Sequence, residues 1–295
     1  MKKKLKNIIL SIIDIFIDKY SFLNLRKRHN LFKLWWYSFR FRLASKGIYL
    51  SENEKKINAL KDKYKGNRCF IIGNGPSLNE LDLKKLKGEY TFGVNAIYLN
   101  YEKMQFNPTF YVVEDYLVAE DRADEINNYD KPKYKFFGTY LDYVLKNDQK
   151  TINLNVHITS YSQENFKPLF STDCLRKVGV GGSVTYICLQ LAYYMGFDKV
   201  YMIGFDHHYI VPEELDLSVN PIIKSDKDDV NHFAPGYFGK GYRWHDPNVD
   251  RMEKGFRMAK LYFEKDGRKI YNATKGGNLN VFERIDYNCI FNNEE

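Results

Sequence analysis

A short apolar run, Cys69-Phe70-Ile71-Ile72, stops abruptly at Gly73-Asn74-Gly75-Pro76-Ser77. A strand that ends on closely spaced glycines narrows the possible folds more than any other stretch of this chain. Glycine lets the backbone approach a ligand or a neighbouring strand, and the N–H groups at a following helix start form an anion site suited to phosphate. Ser77 with Glu80 fits a capping box that opens such a helix. The stretch is neither G-x-G-x-x-G nor a P-loop, since no Gly-Lys-Ser/Thr follows.

Further strand-like runs are Tyr90–Asn95, Thr109–Val113, Tyr134–Phe137, Ile152–Ile158, Lys199–Ile203 and Lys269–Tyr271. Helical patterns lie between several of them. Ser183–Met195 places Val184, Ile187, Cys188, Leu191, Ala192 and Met195 on one face, with Gly196 as the stop. Pro247–Glu264 carries a stripe of Val249, Met252, Phe256, Ala259 and Phe263. This alternation predicts an α/β fold: a Rossmann-like, mostly parallel sheet flanked by helices, with ligands beyond the carboxyl ends of the strands.

Three other motifs fall where such a fold places a site. Gly179-Val180-Gly181-Gly182-Ser183 precedes the first helix, with Ser183 as its N-cap, and offers a second set of backbone donors. Close packing of helix on sheet explains Gly179 equally well. Gly204-Phe205-Asp206-His207-His208-Tyr209 follows the Lys199–Ile203 strand. A metal site on adjacent His207 and His208 is disfavoured, because neighbouring side chains in extended chain point apart. Asn231-His232-Phe233 leads into an aromatic loop ending in His245-Asp246-Pro247. Asp246 as N-cap and Pro247 at the first helical position would put His245 at a helix mouth, where the dipole keeps an imidazole neutral and able to act as a base. Asp226-Lys227-Asp228, by contrast, lies in a hydrophilic stretch, Lys224–Asp229, and reads as a solvated charge run.

Charge divides the chain. Residues 1–50 hold twelve Lys and Arg against Asp14 and Asp18, a balance of +10 within a net +8, so the remaining 245 residues sum to −2. Ile8–Asp18 is amphipathic at helical period, and Leu31–Leu43 sets Trp35, Trp36, Tyr37 and Phe39 among Lys33, Arg40 and Arg42. Such a basic, aromatic segment suits an anionic membrane surface. Packing on its own catalytic domain or on a second subunit, as a homo-oligomer, is the next reading, and secretion the last. A nucleic-acid binder would spread its charge over the folded domain. Residues 51–66 read as a helical linker, with the Rossmann-like catalytic domain over 67–295. The four cysteines show no C-x-x-C spacing, so neither a zinc site nor a disulfide framework is indicated.

The ordered set G-N-G-P-S-L at Gly73–Leu78, V-N at Val94-Asn95, then G-G-S-V, G-F-D and H-D-P-N-V-D resembles bacterial sialyltransferases of glycosyltransferase family 42. It also resembles the broader MptE-like group, named for a 6-hydroxymethylpterin diphosphokinase. The first resemblance implies a metal-independent, inverting enzyme that takes a CMP-linked, sialic-acid-like donor and needs no cofactor. Carried over by position, Gly73, Asn74, Gly75 and Ser77 would line the nucleotide. Asn95 would contact phosphate or ribose, Gly182 and Ser183 would hold cytidine phosphate, and Asp206 would belong to the same site. His245 would be the general base. The family's first leaving-group tyrosine falls on His208, with Tyr209 beside it, and Tyr237 and Tyr242 are both candidates for the second.

These residues imply a glycosyltransferase acting on a surface glycan or glycolipid, at the cytoplasmic face of the inner membrane. Two other functions fit the same sequence. One is a Mg²⁺-dependent pterin diphosphokinase, with Asp115 or Asp206 reaching the metal. The other is a non-enzymatic nucleotide-binding scaffold of an envelope glycan assembly complex.

Overall fold

Strands without polar alternation are buried on both faces, which requires helices above and below a parallel sheet. A computed structural model, describing residues 31–157, 167–211 and 222–291, has this architecture. In chain order its helices and strands are α1 (Leu31–Ala44), α2 (Glu52–Asn58), β1 (Arg68–Ile72), β2 (Thr91–Val94), α3 (Tyr101–Met104), β3 (Phe110–Val113), α4 (Tyr116–Asp121), α5 (Ala123–Asn128), β4 (Tyr134–Gly138), β5 (Thr151–Leu154), β6 (Val156–His157), β7 (Val178–Gly179), α6 (Val184–Tyr194), β8 (Lys199–Ile203), β9 (Ile222–Lys224), β10 (Arg243–His245), α7 (Val249–Lys265), β11 (Lys269–Asn272) and β12 (Glu283–Arg284).

Eight strands form one sheet in the order β12-β11-β8-β1-β2-β3-β4-β5, and every neighbouring pair is parallel. The chain builds outward from β1 to β5, then returns to the other side of β1 to lay down β8, β11 and β12. The reversal falls between β1 and β8, and a crevice opens at the carboxyl ends of strands where such a reversal occurs. The Gly73 loop and the Gly204 turn face one another across it: Gly73 N donates to Ile203 O and Gly75 N to Gly204 O.

Each of the seven apolar runs supplies a strand, but Ile152–Ile158 is not one strand. It breaks at Asn155, whose carbonyl accepts from Val178 N and whose side chain donates to Arg176 O, so β6 leaves the sheet to pair with β7. Ile158 lies outside the described residues. The helix expected over Ser183–Met195 starts after Ser183, whose hydroxyl accepts from Thr185 N. Its burial is not confined to one face: Tyr186, Leu189, Gln190 and Tyr194 are buried as well. Gln190 is tolerated there because its amide is fully used, accepting from Ser171 N and Gly179 N and donating to Gly179 O and Tyr186 O.

Residues 52–66 contribute Ile57, Leu60 and Tyr64 to the main core. Each buried side chain of this size stabilises by about 1.5–3 kcal/mol, enough to fix a two-turn helix that would not persist alone. Glu54, fully buried, is paired with Arg40 at 2.6 Å and accepts from Ser51, which ties α1 to α2. α1 packs on the domain through Phe41 and Ala44 and through Tyr37 and Lys33, both bonded to Asp142, while Phe32 and Trp36 stay exposed. No helix among the described residues is long and apolar enough to cross a membrane. The amphipathic segment Ile8–Asp18 lies outside the described residues.

Candidate functional site

The crevice at the β1/β8 reversal deepens into a cavity of about 700 Å³. It is lined by Gly73, Asn74, Gly75, Asn95, Gly182, Ser183, Asp206, His208, Tyr209 and His245, so ten of the eleven residues assigned to the nucleotide, the base and the first leaving-group position meet at one place. The exception is Ser77. Pro76–Glu80 is a short 3-10 turn capped by Gly75 without a side-chain hydrogen bond, so Ser77 and Glu80 form no capping box. The Ser77 hydroxyl instead donates to Asp206 Oδ2 at 2.8 Å, and its backbone N–H donates to Oδ1 at 3.2 Å. Asp206 thereby fastens the β8 turn to the β1 loop. A Cβ on Gly73 would overlap the Gly204 carbonyl, and one on Gly75 would overlap Asp206 Oδ2, so both glycines are required by close approach.

The walls offer hydrogen-bond acceptors without protein donors. Asn74 Nδ2 is used on the Tyr237 hydroxyl at 2.8 Å, while Asn74 Oδ1 and Asn95 Oδ1 are buried with no partner among the described residues. A buried acceptor left unpaired costs about 1–3 kcal/mol, which a ligand carrying hydroxyl or amino donors recovers. Asn95 also holds a left-handed backbone, φ 51°. Opposite, Gly182 (φ +88°) and Ser183 open α6. Gly179 is absent from this wall. It packs against Leu169 O and the Gln190 amide, which is the close-packing role.

His245 is reached by a different route from the one its sequence suggested. Asn248, not Asp246, caps α7, its side chain accepting from Arg251 N. His245 is the last residue of β10, which pairs antiparallel with β9. Side chains alternate along a strand: Trp244 is buried, while Arg243 and His245 both turn toward acids. Arg243 is gripped by Asp121 and Glu120 of α4, and two residues on His245 Nδ1 lies 3.1 Å from Asp115 Oδ2. Nε2 faces the Tyr116 hydroxyl at 3.4 Å. Asp115 is also the α4 N-cap, accepting from Leu117 N.

The electrostatics follow from this geometry. Burial pulls the His245 pKa down, but the Asp115 hydrogen bond and the charges of Asp115 and Glu114 outweigh it, so the net shift is upward. A helix dipole does not keep this imidazole neutral; an acidic pair pulls it the other way. Glu114 is pushed up to about 7, by burial first and by the neighbouring Asp115 charge, against the opposing Tyr140 hydrogen bond and His245. Tyr209 is raised to about 12, by burial and then by Asp206. His208 is exposed at the rim, while His207, at φ 54°, is turned inward and buried 3.6 Å from Glu253.

Sequence reasoning passed over two features of the cavity. One is the contact of Asp115, read from sequence only as a residue that could reach a metal, with His245. The other is Asp229, placed in a solvated charge run but in fact buried. It accepts from Asn231 N and Phe238 N, and from His232 Nδ1 at 2.7 Å. The exposed triplet Asp226–Asp228 does behave as solvated charge. The available signal was the spacing Asp229-x-x-His232, which lies between a hydrophilic stretch and a glycine-punctuated aromatic loop.

Among the described residues no group of three His, Cys, Asp or Glu could hold a metal. Asp206 is engaged by Ser77, and Asp115 by Leu117 N and His245. This donor set does not fit a resident Mg²⁺.

The 6-hydroxymethylpterin diphosphokinase MptE-like family model matches residues 48–211, a stretch that carries both glycine loops and the Asp206 turn; His232 and His245 follow it. No curated protein and no solved structure matches the chain. A match over more than half of its length makes this chain a member of the 6-hydroxymethylpterin diphosphokinase MptE-like family.

Proposed function

We propose that this chain is an inverting glycosyltransferase. It would move a sugar from a CMP-linked, sialic-acid-like donor onto a hydroxyl of a bacterial surface glycan, with His245 as general base. The observation that carries the reading is the His245–Asp115 pair on the wall of a cavity that is also lined by the Gly73–Gly75 loop and the Gly182–Ser183 start of α6. With Nδ1–H committed to Asp115, Nε2 is the acceptor nitrogen, and a base must present an acceptor within reach of the hydroxyl it deprotonates. The Gly182 loop at the start of α6 offers N–H donors for a nucleotide phosphate, whereas Gly73 N and Gly75 N are spent on Ile203 O and Gly204 O; the unpaired Asn74 and Asn95 oxygens suit ribose hydroxyls. The acceptor proton passes to His245 while the new C–O bond forms opposite the departing nucleotide. The exposed Phe32 and Trp36 of α1, beside the basic head, support an acceptor at an anionic membrane surface on the cytoplasmic side.

Family membership favours a second reading, transfer of diphosphate from ATP to a pterin hydroxyl, which would employ the same base and the same loops. That reaction moves more negative charge and draws on Mg²⁺, for which the carboxylates among the described residues leave no ligand set.

Calorimetric titration with CMP and with a non-hydrolysable ATP analogue, each with Mg²⁺ and with EDTA, separates the two. The transferase reading expects CMP binding that survives EDTA. Binding of the adenine nucleotide alone, and only with Mg²⁺, overturns it in favour of the diphosphokinase.

A further inference from the structure

An inverting transfer removes a proton from the acceptor on one side and builds negative charge on the departing phosphate on the other, where a proton donor relieves it. The cavity wall has little fixed positive charge for the second task. Among the described residues Arg251 is the only Lys or Arg that lines it, against Glu114, Asp115, Asp206 and Asp246. A nitrogen that arrives already protonated would fill the gap. His207 is buried against Glu253, and His208 stands exposed at the rim. His232 remains.

His232 is built as a donor. Its Nδ1 bonds Asp229 Oδ2 at 2.7 Å, and Asp229 is locked by two backbone N–H groups with only 4% of its side chain exposed. The imidazole stacks on the Tyr237 ring at 4.1 Å with an interplanar angle of 6°, and Phe238 closes its edge. Asp229 and Tyr237 are the titratable groups in contact with the ring among the described residues. Nε2 has no partner among the described residues, and the side chain lines the cavity.

Its position assigns it to the nucleotide side. Phe233 N donates to Asn74 O at 2.8 Å, Asn79 donates to Phe233 O at 3.0 Å, and Asn74 Nδ2 reaches the Tyr237 hydroxyl under the His232 ring. His232 therefore rides on the Gly73–Gly75 loop, whereas His245 sits with Asp115 and Tyr116 beyond the end of β3. We propose that His232, held by Asp229, is the leaving-group acid of this site. The proposal rests on the transferase reading above.

In the step, the acceptor O–H proton goes to His245 Nε2 and the acceptor oxygen bonds the anomeric carbon. The bond from that carbon to the phosphate oxygen breaks, leaving its electron pair on the phosphate, and that oxygen takes the proton from His232 Nε2. The products are glycoside and CMP, and solvent returns the proton from His245 to His232. No electrons are gained or lost overall.

The test is CMP release from CMP-N-acetylneuraminic acid, with water as acceptor, followed across pH, together with the Kd for CMP. His232→Asn keeps an amide nitrogen for Asp229 but removes the nitrogen that serves the cavity. It is expected to slow CMP release about 10²-fold while the CMP Kd stays within about threefold, a split that a merely structural role would not give. His232→Gln restores a neutral donor near Nε2 and is expected to recover part of the rate while losing the alkaline limb of the pH profile. Wild-type rates and an unchanged limb in both variants would overturn the acid role alone. A wild-type protein that neither binds CMP nor cleaves the donor would overturn the transferase reading, and this role with it.

Discussion

His245 and His232 each lean on a carboxylate through Nδ1, at 3.1 and 2.7 Å, on the wall of the same cavity, yet the two pairs are assembled in opposite ways. His232 and Asp229 are three residues apart, inside a loop whose own backbone saturates the carboxylate. His245 and Asp115 are 130 residues apart and meet only because Arg243 clamps β10 to α4. Exposure differs too: His245 and Asp115 retain 38% and 21% of their side-chain surface, His232 and Asp229 only 14% and 4%. A sealed local pair holds its ring in one orientation. An open pair brought together by packing answers to its neighbours, and here Glu114 adds a second acidic group beside the first.

The comparison breaks most visibly at His245. Replacing it with Ala is expected to lower transfer from a CMP-linked donor by about 10²–10⁴-fold, with CMP affinity nearly unchanged. A parallel loss of affinity would mean that the ring supports the nucleotide site rather than serving as the base, and the distinction between the walls would fall.

Asp115→Asn sharpens it. Asn still caps α4, so the helix start is retained. Asp115 raises the His245 pKa above its ordinary value, so removing that charge lowers it. The neutral ring is the competent base, and the acidic limb of the rate profile should therefore move to lower pH. An unmoved limb would show that the limb reports another group, Glu114 being the first to examine.

The smallest effect expected is on stability, at the sealed pair. Burial pushes the Asp229 pKa up, but the His232 hydrogen bond and charge and the backbone N–H groups of Asn231 and Phe238 hold it below the ordinary carboxylate range. A depressed folded pKa gives stability that is complete above the unfolded value, about 3.9, and is lost as pH falls through the folded value. Asp229→Asn should cost about 1–3 kcal/mol at neutral pH, and the gap in thermal midpoint should close in acid. A gap independent of pH would remove charge from the account and leave packing.

Much of this was legible from local chemistry. Lys199–Ile203 is a strand at the bounds its apolar run suggested, and Ser183 caps α6, because an extended apolar stretch and a capping hydroxyl act over a few residues. Other readings failed for long-range reasons. Ser77 has the right spacing for a capping box, but an Asp206 carboxylate 129 residues away takes its hydroxyl instead. His245 lies one residue before the cap its sequence suggested, Asp246, but its strand pairing with Ile222 and the Asp121–Arg243 contact decide where the ring goes. Asp229 follows two exposed acidic residues in sequence and shares nothing of their environment.

Local pattern alone specifies the kind of protein this is: the alternation of strand and helix, the glycines at the end of β1 and before α6, and the separation of a basic head from a near-neutral domain. Those features are periodicities and steric allowances, expressed within a turn or two of chain. Only the tertiary structure decided which histidine meets which carboxylate, which acceptors stay unpaired, and where charge accumulates. Such pairings depend on strand order and on contacts between residues a hundred or more positions apart, and a one-residue shift in the β9–β10 register would turn His245 away from Asp115.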